Sequence, residues 1–173
     1  MKTRKMVFVA ILTSLALVIS LFEHYFPVPV GIPGAKLGLS NLVILTAIAA
    51  FGPKEGFTIA ILKSFLLMLL TGAVTSFFYS LAGAILASLA MSLSLRFLVP
   101  PLSVVGVSEL GAFAHNLGQV LVAAFVLDNS SIFYYLPIMT LVGAASGLFI
   151  GLAAHQVTNH LKKIYRSTSP PSP

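Results

Sequence analysis

Residues 6–26 read MVFVAILTSLALVISLFEHYF. Only Thr13, Ser14 and Ser20 interrupt the apolar side chains between Met6 and Phe22, and the only acidic or basic side chains in the run, Glu23 and His24, stand at its far end. As a helix of 1.5 Å rise the stretch is about 32 Å long, which matches a hydrocarbon layer of about 30 Å. It therefore reads as a membrane-crossing helix. A cleaved leader would have a shorter apolar core, of about 7–15 residues, and a small-x-small cleavage site close behind it. Neither is present, so the first segment reads as a retained span.

The rest of the chain repeats this character. Of 173 residues, 58% are hydrophobic and 8% charged, and the mean hydropathy is +1.02. An ordinary soluble domain carries about 25% charged residues, so a soluble globular fold and a disordered chain are both excluded. Spans are predicted at Met6–Phe26, Leu37–Phe51, Phe57–Thr71, Phe77–Leu98, Ser103–Leu127 and Ile132 to about Ala154. The breaks fall where Pro and Gly gather: Pro27 to Gly34, Phe51 to Gly56, Gly72, Pro100-Pro101, and Asp128 to Ser131. The predicted fold class is all-α, an integral membrane bundle of six transmembrane helices. It forms a single domain over residues 1–166, with a disordered Ser/Pro-rich tail over 167–173.

Basic residues set the expected orientation. Lys2, Arg4, Lys5, Lys54, Arg96, Lys162, Lys163 and Arg166 fall on one side, Lys36 falls on the other, and Lys63 lies within a span. The positive-inside rule then puts both termini in the cytoplasm of a plasma-membrane protein. The net charge of +6 belongs to this topology, not to nucleic-acid binding, because its carriers are few and stand at helix ends.

Several chemistries lack their residues. There is no Cys, and the acidic residues are Asp128, Glu23, Glu55 and Glu109. Magnesium-dependent diphosphate chemistry needs several converging carboxylates. The histidines, His24, His115, His155 and His160, are too scattered for a metal site. Neither a Walker-type loop nor a Gly-x-Ser-x-Gly elbow occurs. The expectation is a protein that is not an enzyme and has no metal and no cofactor.

Polar side chains inside spans are costly and mark candidate functional sites. Counted along the helices, Lys63 and Glu109 lie about 9–10 Å in from the cytoplasmic side. Opposite charges at matched depth predict a buried ion pair, structural or part of a relay. A second set lies in the outer half: Ser40, Asn41, Tyr79, Ser80, His115, Asn116 and Gln119, with Glu23 and His24 ending the first span. Ser108, Ala112, His115 and Gln119 share one helix face. Together these residues predict a pocket open to the outside. Lys36, placed at the start of the second span, adds a cation beside a helix N-terminus, a combination that favours an anion. Small residues four apart allow close helix approach. Gly143, Gly147 and Gly151 are read as packing within the bundle, and Ala10 and Ser14 as a face on which a partner subunit docks.

Three motifs, Lys36-Leu-Gly-Leu-Ser-Asn41, Phe78-Tyr-Ser-Leu-Ala-Gly83 and His115-Asn-Leu-Gly-Gln119, together resemble the Gx transporter family, also labelled heptaprenyl diphosphate synthase component I. That family is similar to the substrate-binding S components of energy-coupling factor transporters. The resemblance implies a six-helix subunit that holds a small vitamin-like or isoprenoid/quinone-precursor ligand on its outer side. It would work with a transmembrane T subunit and cytoplasmic ATPases. Carried over, the ligand-binding residues are Lys36, Asn41, Tyr79, His115, Asn116 and Gln119, and the docking residues are Ala10 and Ser14. The alternative role is a non-catalytic membrane accessory subunit, either of prenyl diphosphate or quinone synthesis or of flavin-based extracellular electron transfer.

Overall fold

A computed structural model describes residues 2–26 and 36–167. The proline-rich turn after the first helix and all but Ser167 of the expected disordered tail lie outside these residues. The helices are α1 (Lys2–Tyr25), α2 (Asn41–Phe51), α3 (Pro53–Thr71), α4 (Val74–Phe97), α5 (Val104–Val126) and α6 (Leu136–Ser167), with a 3₁₀ segment, Ser130–Tyr135, leading into α6. No strand occurs among the described residues.

Local chemistry explains most of the boundaries. Pro53 occupies the first turn of α3, where a missing N–H costs nothing. Gly72 closes α3 in the left-handed conformation, its N–H bonding the Met68 carbonyl. Ser103 caps α5 by accepting the Gly106 N–H at 3.2 Å. The sixth span does not begin as α-helix at Ile132: Asn129 accepts the Ser131 N–H at 2.9 Å and holds a tighter turn up to Tyr135.

Among the described residues four helical stretches, not six, are long and apolar enough to cross a bilayer: Thr3–Tyr25, Val74–Phe97, Val104–Val126 and Ser130–Tyr165. The expectation of six spans is corrected at α2 and α3. With 11 residues, α2 is only about 16 Å long. It is apolar all round because it is the core of the bundle: it touches each of the other five helices, and Val43, Ile44, Leu45, Ala47 and Ile48 are all buried. A buried helix and a lipid-facing one look alike in composition at that length. The helix α3 carries Lys54, Glu55 and Lys63 within its 19 residues.

Around α2 the helices follow the order α1, α3, α4, α5, α6, each packed on the next. Chain direction alternates, so the start of α1, the end of α2, the start of α3 and the ends of α4 and α6 gather at one end. Arg4 donates to the Tyr165 carbonyl at 2.5 Å and lies over its ring, Lys5 donates to the Phe51 carbonyl at 3.3 Å, and Lys5 pairs with Glu55 at 2.5 Å. We call this the basic end. The surface between the ends is apolar, with Leu15, Val18, Leu69 and Leu141 all exposed. Much of the interior is polar, including buried Ser20, Ser40, Lys63, His115 and Gln119. This inversion is that of a multi-pass membrane protein, in which lipid solvates the apolar face and the bundle shelters the polar groups.

Candidate functional site

The polar groups converge in the half of the bundle opposite the basic end, on the lead-in to α2. Residues 36–40 are not helical, so Lys36 does not open the second helix; Asn41 does, five residues later. The turn depends on Gly38, whose φ of +77° side chains rarely adopt. Ser40 stands at the helix cap position but makes no side-chain cap bond; its hydroxyl is engaged by Lys63 instead.

Three anchors hold the lead-in. Gln119 grips the backbone of Lys36 with both ends of its amide, Oε1 accepting the Lys36 N–H at 2.7 Å and Nε2 donating to the Lys36 carbonyl at 2.8 Å. Glu23 of α1 accepts the Leu39 N–H at 3.0 Å. From α6, the Ser146 hydroxyl shares its one proton between the Gly143 carbonyl of its own helix at 2.9 Å and the Leu37 carbonyl at 3.4 Å. The segment is therefore fastened to α5, α1 and α6 at once.

Lys63 is 1% exposed. Its ammonium donates to Ser40 Oγ at 2.8 Å, Ser20 Oγ at 3.4 Å and Ser80 Oγ at 3.5 Å, and Ser64 shares a further bond with Ser80 at 3.1 Å. No carboxylate lies within salt-bridge distance of it among the described residues. The expected pair with Glu109 is not formed: α4 stands between α3 and α5, which do not touch, and the Glu109 carboxylate lies against Gly147 of α6. Depth along each helix was matched, but helix order and rotation put the two charges on different interfaces. Lys63 thus belongs with the groups expected in the outer half.

His115 of α5 is also 1% exposed, and no protein group meets hydrogen-bond geometry with either ring nitrogen. Its ring fits because α4 presents Gly83: a Cβ there would come within 2.8 Å of Nδ1 and Cε1. The ring's other edge lies at Gly38, beside Asn41. Asn41 is buried and neither its amide oxygen nor its nitrogen has a partner. The same holds for Lys36 Nζ and Glu23 Oε2. These last two residues line a cavity of about 140 Å³ with Phe22, Phe26, Leu37 and Leu39. Burial pushes the Lys36 ammonium from 10.5 down to about 8, with the Glu23 carboxylate pulling the other way. An apolar groove of about 350 Å³ adjoins this cavity, sharing Phe22 and Leu39 with it, and runs between α1 and α6 past Val18, Leu42 and Phe149.

A match to the family described as heptaprenyl diphosphate synthase component I extends over residues 12–157. The chain belongs to the heptaprenyl diphosphate synthase component I family. No curated protein and no solved structure matches it. Every residue of the polar site in this family member, from Ser20 to Ser146, falls inside the matched stretch.

The expected site residues divide. Asn41 and His115 come together at Gly38, while Lys36 lines the small cavity with Glu23; all three carry unpartnered polar atoms. Gln119 is spent on the Lys36 backbone, and Asn116 donates to the Met139 carbonyl at 2.7 Å, tying α5 to α6. Tyr79 is buried in an apolar cluster with Val120, Ala123, Ile132 and Met139. Gly143, Gly147 and Gly151 face α5; a Cβ at Gly151 would come 2.6 Å from Val105 Cα. Ala10 and Ser14 lie on the exposed face of α1. The outer polar set read from the sequence held Glu23, Ser40 and Ser80, but Ser20 and Ser64 were missed, as was the place of Lys63 among these serines. Their signal was the recurrence of small hydroxyls at one depth on three elements.

Proposed function

We propose that this member of the heptaprenyl diphosphate synthase component I family is a non-catalytic, membrane-embedded binding subunit, similar to an S component. On this reading it captures a small molecule from outside the cell and relies on a T subunit and ATPases for energy. The observation that carries the reading is the set of buried polar atoms without partners: Lys36 Nζ, Glu23 Oε2, both amide atoms of Asn41 and one ring nitrogen of His115, whose other ring nitrogen lies against the Gly83 backbone. Leaving such groups unsatisfied costs about 1–3 kcal/mol each. A bundle selected only for stability would replace them, whereas a ligand bringing donors and acceptors would satisfy them. The basic end faces the cytoplasm of the plasma membrane by the positive-inside rule, which turns the site outward. The adjoining groove between α1 and α6 suits a ligand with an apolar portion. The exposed Ala10 and Ser14 are the proposed T-subunit contact.

The test is mass spectrometry of what co-purifies with the protein in mild detergent. Asn41→Leu should lose the bound molecule while melting no lower than the parent, since it removes unsatisfied groups at similar volume. An equal small-molecule content in parent and variant would overturn the reading. A second reading follows from the family description alone: an accessory subunit of a prenyl diphosphate synthase. Co-purification of a soluble prenyltransferase, in place of ATPases, would favour it.

A further inference from the structure

A further cavity lies at the other end of the molecule. It measures about 590 Å³ and is open at the basic end, between α2, α4, α5 and α6. Its lining includes the apolar Ile48, Ala49, Leu95 and Val104. It also includes Arg96, Lys162 and His155, with Asn159 bonded to His155 at 3.4 Å. Among the described residues no carboxylate lines it, and Glu55 is already paired with Lys5. Two hydroxyls in the lining, Ser92 Oγ and Thr158 Oγ1, are buried without partners, and Thr158 is only 6% exposed. Hydroxyls in the middle of helices normally bond the carbonyl one turn back, as Ser88 does to Ala84 at 2.7 Å. These two do not.

Cationic and apolar side chains lining one cavity, together with spare hydroxyl donors, are complementary to one ligand chemistry. We propose that this cavity binds an amphiphile with a phosphate head and an apolar tail. The head meets Arg96 and Lys162 and accepts from Thr158 and Ser92, and the tail lies along Ile48, Leu95 and Val104. Arg offers a bidentate fork to phosphate oxygens and Lys a point charge. The volume is that of an ordinary small-molecule site. The site is separate from the one at the opposite end and stands whether or not that end binds a ligand. Two sources share this chemistry, an anionic bilayer lipid and a free isoprenoid diphosphate.

Native mass spectrometry of the full chain in neutral detergent tests it, with four probes: dioleoyl phosphatidylglycerol, farnesyl diphosphate, dioleoylglycerol as tail alone and inorganic diphosphate as head alone. At least one phosphorylated amphiphile should bind tenfold or more tighter than both the tail and the head alone, and the tighter of the two identifies the source. Arg96→Gln with Lys162→Gln should weaken that amphiphile by about 10–100-fold, and Thr158→Val by a few-fold. Both charge changes are at exposed positions, so the melting temperature should stay near the parent's. Lys163→Gln, at the same end but outside the cavity lining, should leave binding unchanged. Three results would overturn the proposal: inorganic diphosphate binding as well as the amphiphiles, the double variant binding as tightly as the parent, or Lys163→Gln losing as much as the double variant.

Discussion

Replacing Gln119 by Leu removes both ends of the clamp on Lys36 while keeping the side chain's volume. The structure sets the size of the effect. Gln119 is 1% exposed, its two bonds measure 2.7 and 2.8 Å, and the backbone N–H and C=O they serve belong to a residue that is itself 7% exposed. Two orphaned backbone groups cost about 1–3 kcal/mol each in a dry interior. Hydrogen bonds between transmembrane helices average nearer 0.6 kcal/mol, because the unfolded chain in a membrane also finds partners. The Lys36 groups have no helical neighbours to turn to, so we expect a loss of about 2–4 kcal/mol. That corresponds to a fall in melting temperature of roughly 5–15 °C for a domain of this size. Gln119→Ala should lose more, by the additional cavity term. The measurement is thermal or denaturant unfolding in detergent, paired with the mass of co-purified small molecule. Ligand content should fall in step with stability, since the clamp positions the Lys36 side chain. A Gln119→Leu protein as stable as the parent but empty of ligand would refute the reasoning and return Gln119 to the ligand itself.

Two further outcomes are expected. Lys36 has a folded pKa of about 8 against 10.5 unfolded, so the unfolded chain binds more protons between those values and stability should rise as pH goes from about 8 to 10.5, by at most about 3 kcal/mol. Subtracting the same profile measured on Lys36→Met isolates this rise; a difference that is flat or falls with pH would contradict the burial of that ammonium. For Lys63 and Glu109, a double-mutant cycle with Lys63→Met and Glu109→Leu should show coupling below about 0.5 kcal/mol, as for separate sites. Lys63→Met alone should not show the loss of about 3–5 kcal/mol that follows from breaking a buried pair, and a coupling of that size would restore the pair.

Much of this protein was legible from composition and periodicity. Uncompensated apolar length is a one-dimensional property, so the membrane character and the number and order of helices follow from the sequence of residues 6–26 and its later counterparts. The small-residue face of α6 and the buried polar face Ser108, Ala112, His115 and Gln119 of α5 follow as well, because 3.6-residue periodicity places side chains on a face before any neighbour is known. What faces what is a different quantity. Whether the apolar run 41–51 met lipid or protein depended on the five helices around it. Which partner Lys63 found depended on α4 standing between α3 and α5, and whether Gln119 was free for a ligand depended on where the backbone of Lys36 came to rest. Residue spacing fixes the rotation and height of a side chain on its own helix; only packing supplies the second helix, and with it the difference between a satisfied amide and an open binding group.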